Sequence, residues 1–168
     1  GHSRIALRVL TEDFEEAVDQ AFFSRKVKQA VDLRRNLLKL DEVSDAWRVI
    51  HSEGDGLSGL VVDRYGDLLV VEFFSGGAFR YREWIYQALR ESFPGCRFYS
   101  FAVENVQKQE SFDFNSADAP EPSVFTEYGL KFNASPGSGH KTGFFADQRD
   151  NREYLSHLVK DKTALDIC

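Results

Sequence analysis

Trp47-Arg-Val-Ile-His51, Gly59-Leu-Val-Val-Asp63 and Leu68-Leu-Val-Val-Glu-Phe-Phe74 are three short runs rich in β-branched and aromatic residues, separated by Gly54-Asp-Gly56 and Tyr65-Gly-Asp67. Runs of this length between glycine turns predict strands, and the short connections predict an antiparallel meander. Ser75-Gly-Gly77 interrupts the pattern, after which Phe79 to Phe93 places Trp84, Ile85, Ala88 and Leu89 on one face of a helix that Pro94-Gly95 ends. The apolar alternation predicts a core containing Trp47, Val49, Val61, Val70, Phe73, Trp84 and Leu89.

Working outward, Arg4 to Leu10 alternates polar and apolar side chains like a half-buried strand, and Thr11-Glu-Asp-Phe14 offers capping groups for a helix running to about Leu38. Val18, Phe22, Val27, Ala30, Val31, Leu33, Leu37 and Leu38 recur along it at broadly helical spacing. That leaves Arg25, Lys26, Lys28, Arg34, Arg35 and Lys39 mostly on a solvated face. Downstream, a strand is expected from Arg97 to Phe101, then a polar stretch whose Asn115 to Ser123 part reads as a surface loop. A hairpin around Tyr128-Gly129 leads into Lys131-Phe-Asn-Ala134. A third helix is expected from about Asp147 to Leu158 and a buried strand from Thr163 to Cys168.

The 168 residues, 42% of them hydrophobic, suit one domain or two small ones, and the net charge of -6 repels phosphate, so any nucleic-acid contact must be local. Acidic residues gather between Glu104 and Glu121. No run approaches the roughly 20 apolar residues of a membrane span, and no secretory signal is evident, so the expected location is the cytoplasm. Cys96 and Cys168 match neither a disulfide framework nor a metal pattern, and His51, His140 and His157 are too scattered to share a metal. No metal site is expected.

The most specific stretch is Gly139-His-Lys-Thr-Gly-Phe-Phe-Ala-Asp-Gln-Arg-Asp-Asn-Arg152. Its glycines allow close backbone approach, Phe144 and Phe145 can form an apolar wall, and Asp147, Gln148, Arg149 and Arg152 offer convergent polar groups. A phosphate-binding P-loop is rejected, because Gly137 lies only four residues before Lys141 and no clear buried strand precedes it. A loop, a helix and an apolar strand in that order are how a doubly wound α/β domain often begins, which points to a nucleotide-like ligand. An interdomain helix with a buried phenylalanine pair fits the composition equally well.

Together with Glu53-Gly-Asp-Gly-Leu-Ser-Gly-Leu-Val-Val-Asp-Arg-Tyr-Gly66, Ala21-Phe-Phe-Ser-Arg25 and Trp47-Arg-Val-Ile50, this motif resembles the S-adenosylmethionine-dependent large-subunit rRNA (cytosine-C5) methyltransferase family. The resemblance covers about Ala21 to Cys168, with Ser58 where the family commonly has proline. It implies an α+β fold in three parts. Residues 1–10 would be the tail of a PUA-like RNA-binding domain and 11–135 a small central mixed α/β domain carrying the meander. Residues 136–168 would be the first helix and strand of a Rossmann-like methyltransferase domain.

The cofactor implied is S-adenosylmethionine and the partner ribosomal RNA; the cofactor-binding candidates are Lys141, Thr142, Phe144, Phe145, Gln148 and Arg152. In such enzymes a cysteine thiolate attacks cytosine C6. That cysteine is expected beyond Cys168, so no catalytic residue is assigned and the chain alone is expected to be inactive. The competing expectations are a non-catalytic RNA-binding or ribosome-assembly module, and an interaction domain docking a protein through Phe144 and Phe145.

Overall fold

The computed structural model describes residues 3, 5, 7–137 and 142–165. The meander is present as β1 (Ala46–His51), β2 (Leu60–Tyr65) and β3 (Leu68–Phe73), antiparallel in that order. The chain then crosses through α2 (Gly76–Arg80) and α3 (Arg82–Ser92) and returns as β4 (Arg97–Phe101), parallel to β3. The result is a mixed four-stranded sheet, and the architecture is α+β. A separate hairpin, β5 (Ser123–Glu127) and β6 (Leu130–Ala134), turns at Tyr128-Gly129 as expected.

Both faces of the sheet are covered, which is why its strands read as near-continuous apolar runs. On one face Trp47, Val49, Leu60, Val62, Leu69, Val71 and Phe73 pack against α3 and the long helix α1 (Gln20–Asp32). On the other, Ala46, Tyr65, Leu68, Val70 and Tyr99 meet Phe125 and Ala134 of the hairpin. Buried Trp47 donates its indole N–H to Asp41 at 3.0 Å, and Asp41 also accepts from Arg64 and Arg35 at 2.9 Å.

Several expectations are corrected. Trp84 is only partly buried and stacks on Tyr81 at the rim, 5.2 Å between centroids. The first helix begins at Gln20, where Asp19 accepts from the Phe22 amide, because Thr11 and Asp13 spend their oxygens on the amides of Asp13 and Glu15 in local turns. Its end is a π turn, Leu33–Leu37. The wider turn shifts the helical phase, turning Leu37 and Leu38 outward and carrying Arg34 into the interior. There Arg34 grips Asp55 through both guanidinium nitrogens at 2.5 and 2.9 Å.

The second helix is broken at Tyr81 and starts early, because Ser75 caps it by accepting from the Ala78 amide. The polar stretch holds an unforeseen helix, α4 (Glu104–Glu110), followed by Phe112 and Phe114, whose rings pack on Phe79 at 4.7 and 5.0 Å. Ser123 is a buried strand residue at the end of the expected loop.

At the ends, the described parts of the expected strands join no ladder. The described part of Arg4 to Leu10 forms no strand and leaves Ile5, Leu7 and Val9 exposed. Thr163 to Leu165 likewise form none, and the rest of that expected strand lies outside the described residues. A strand exists only through the ladder it joins, and the described residues of the two segments pair with no strand. Among the described residues no helix is long and apolar enough to cross a membrane.

Candidate functional site

The hairpin-side face of the sheet carries polar groups among its apolar ones. Arg48 and Asp63 are register partners on β1 and β2, and the guanidinium donates twice to the carboxylate, both at 2.9 Å. Asp63 is 2% exposed. Its second oxygen also accepts from the hydroxyl of Thr142, which arrives from the far end of the sequence and is 1% exposed. Because a carboxylate only accepts, the threonine hydrogen must point at Asp63. The phenol of buried Tyr65 then donates to Thr142 at 2.7 Å and shares its hydrogen with the Phe144 carbonyl at 3.1 Å. Burial first, then the Asp63 charge, pushes the Tyr65 phenol well up, while the hydrogen bonds to Asp63 hold the Arg48 guanidinium above its usual range.

Beyond Thr142 the chain turns at Gly143, with φ 130°, where a Cβ would lie 3.0 Å from the Pro136 nitrogen. Only glycine fits that approach. Phe144 drops between Phe125 and Phe132, with centroids at 4.8 and 5.4 Å. Arg152, on α5 (Arg149–Leu158), lies 4.6 Å above the Phe144 ring. It also pairs with the buried Glu127 carboxylate at 2.7 Å through two nitrogens and donates to the Phe145 carbonyl at 3.0 Å. The start of α5 is therefore tied to the hairpin by a bidentate charged pair under an aromatic lid.

The six candidate residues divide accordingly. Thr142, Phe144 and Arg152 face inward and hold the segment. Phe145 is 46% exposed, and Gln148, also exposed, accepts from Asn151 at 2.7 Å. Lys141 lies outside the described residues. Arg149 pairs with neighbouring Asp150 rather than with Asp147, whose charge instead acts on Arg48. Asp63, Tyr65, Arg48 and Glu127 were missed in the sequence. The available signal was an acid inside the apolar run Leu60 to Tyr65, where a charge requires a partner.

A cavity of about 380 Å³ opens beside this network, lined by Trp47, Arg48, His51, Asp63, Phe144 and Ala146 among others. One of about 470 Å³ lies on the helix side of the sheet, lined by Leu7, Phe23, Leu57, Ile85 and neighbours, remote from the motif. The only thiol among the described residues, Cys96, is half-buried and burial pushes its pKa up, the opposite of an activated nucleophile. The described residues contain no cluster able to hold a metal ion.

No protein-family model matches the chain. Curated relatives do. It is 39% identical to Ribosomal RNA large subunit methyltransferase I of Aliivibrio fischeri (strain MJ11), over 97% of this chain and 42% of that protein. The proteins of the same name are 40% identical in Aeromonas salmonicida (strain A449), over 98% and 43%, and 38% identical in Klebsiella pneumoniae (strain MGH 78578), over 97% and 42%. Among solved structures, a candidate methyltransferase in complex with SAH superposes with a TM-score of 0.66 at 25% identity, over 84% of this chain and 36% of that one. A candidate SAM-dependent methyltransferase from Streptococcus mutans gives 0.65 at 23% over the same shares and speaks for the fold alone. The chain is homologous to part of these rRNA methyltransferases and spans about two fifths of the length of the curated relatives it matches.

Proposed function

We propose that the whole protein is a cytoplasmic S-adenosylmethionine-dependent methyltransferase that modifies C5 of a cytosine in large-subunit rRNA, and that this chain supplies its central domain and the opening of its methyltransferase domain. The observation that carries the reading is similarity near 39% along 97% of the chain to proteins named as large-subunit rRNA methyltransferases. In this reading residues 1–10 end a PUA-like domain, 11–135 form the central domain, and 136–168 begin the Rossmann-like domain. The nucleophilic cysteine belongs to the remainder of the protein.

The fit to the cofactor rests on how the motif is built. Phe145 and Gln148 stand outward on a segment held from behind by Thr142, Phe144 and Arg152, as the lip of a cleft requires. In the whole protein Phe145, Gln148 and Lys141 would border S-adenosylmethionine, which supplies the methyl group as an electrophilic sulfonium. Phe145 would give the apolar wall and Gln148 an amide. With Phe144 packed inside, the alternative of a phenylalanine pair docking a protein loses one of its two rings.

The test uses purified full-length protein, methyl-labelled cofactor and unmodified large-subunit rRNA, followed by digestion to nucleosides. Label in 5-methylcytidine is the expected result, with none transferred by the 168-residue chain alone. Label in another nucleoside would remove the cytosine assignment. Tight rRNA binding without transfer would favour a non-catalytic assembly module.

A further inference from the structure

We infer that Asp63 and Tyr65 are positioning residues for the methyltransferase motif: through the Thr142 hydroxyl they dock the segment 142–148 on the central sheet in one orientation. The inference rests on the function proposed above and extends it from the motif to the β2 strand beneath. Thr142 meets Tyr65 and Asp63 across 77 and 79 positions of sequence, so the contact joins two regions that nothing local holds together.

Packing alone does not require this chemistry. A valine at 142 has nearly the volume of threonine, and an apolar contact in a site this buried would cost less desolvation than a hydroxyl on a carboxylate. What the polar pair adds is direction. The hydrogens run one way, from Tyr65 to Thr142 to Asp63, with Arg48 donating to both oxygens of the same carboxylate. Each donor in this sequence has a defined acceptor, and no buried side-chain polar atom among the described residues lacks a partner. Turning Thr142 by one rotamer would strand its own hydrogen and leave the Tyr65 phenol only the longer bond to the Phe144 carbonyl. The Gly143 turn and the Phe144 plug then transmit that orientation to Phe145 and Gln148. The segment is thus held by a hydroxyl and a ring, with Arg152 gripping the Phe145 carbonyl, and Phe145 and Gln148 are left facing outward.

Full-length Thr142→Val, Thr142→Ser and Tyr65→Phe proteins should be compared with the unmodified protein for affinity toward S-adenosylhomocysteine, for KM and kcat separately, and for melting temperature. Thr142→Val is expected to weaken S-adenosylhomocysteine by about tenfold, the effect of losing one hydrogen bond to a charged group. Its melting temperature should fall by a few degrees, because Asp63 and Tyr65 stay buried with one partner fewer, whereas Thr142→Ser keeps the hydroxyl and should bind within about twofold of the unmodified protein. Tyr65→Phe should fall between them. Unchanged affinity and KM in Thr142→Val would overturn the inference. Should the unmodified protein itself fail to bind S-adenosylhomocysteine, the functional proposal fails instead, and hydrogen exchange of amides 142–148 decides this one: faster exchange in Thr142→Val supports the docking role, and equal exchange refutes it.

Discussion

Replacing Glu72 with glutamine should stabilise the protein in mild base and leave it unchanged in mild acid. Glu72 lies on β3 in register with Val61 and Phe101, on the sheet face that carries Asp63 and Arg48. Burial first, then the Asp63 charge, pushes its carboxyl from an ordinary value of 4.5 up to about 7, with Arg48 opposing. The folded protein therefore holds a proton that the unfolded chain releases between those values. Relative to glutamine, the wild-type side chain costs nothing below about pH 4.5 and increasingly more as pH rises through 7. At ~1.4 kcal/mol per pH unit the displacement corresponds to about 3 kcal/mol, and solvent screening of this half-buried group reduces it to about 1–2 kcal/mol. For a chain of this size that is a rise of about 2–8 °C in melting temperature at pH 8. Urea unfolding of both proteins at pH 5 and pH 8 reads the effect, and the difference between them cancels the titrating groups that are not coupled to Glu72. A Glu72→Gln protein no more stable than wild type at pH 8, or equally stabilised at pH 5, would refute the reasoning.

Two further outcomes follow from buried contacts. Asp55→Ala leaves the Arg34 guanidinium, whose side chain is 10% exposed, without its carboxylate, and should cost about 3–5 kcal/mol in urea unfolding. Adding Arg34→Met should recover part of that loss; a cost below about 1 kcal/mol for the single substitution would count against a structural pair. Gly59 and Gly95 have similar positive φ, 78° and 83°, yet a Cβ at Gly59 would lie 2.5 Å from the Ser75 Cβ while one at Gly95 meets nothing within 4 Å. Gly95→Ala should therefore cost only the left-handed backbone, about 1–2 kcal/mol, and Gly59→Ala about 1–3 kcal/mol more. Equal melting temperatures for the two variants would show that Ser75 yields freely.

The sequence by itself determined what local chemistry specifies. β1 to β3 were legible because apolar runs bounded by glycine turns have few other solutions, and the hairpin at Tyr128-Gly129 for the same reason. The motif from Gly139 to Arg152 stood out in the sequence because it sets glycines, an adjacent phenylalanine pair and several polar side chains within fourteen residues. Tertiary structure decided everything that depends on a distant partner. Thr11 and Asp13 look like helix caps until Asp19 takes that role. Arg34 reads as solvated until the π turn brings it to Asp55. Thr142, Phe144 and Arg152 have the same side chains whether they face a ligand or the protein. Only the positions of Asp63, Phe125 and Glu127, brought near by folding, turn them inward and leave Phe145 and Gln148 outside. The physical reason is range: propensity and capping act over a few residues, whereas a buried polar group is placed by whichever partner the whole chain delivers to it.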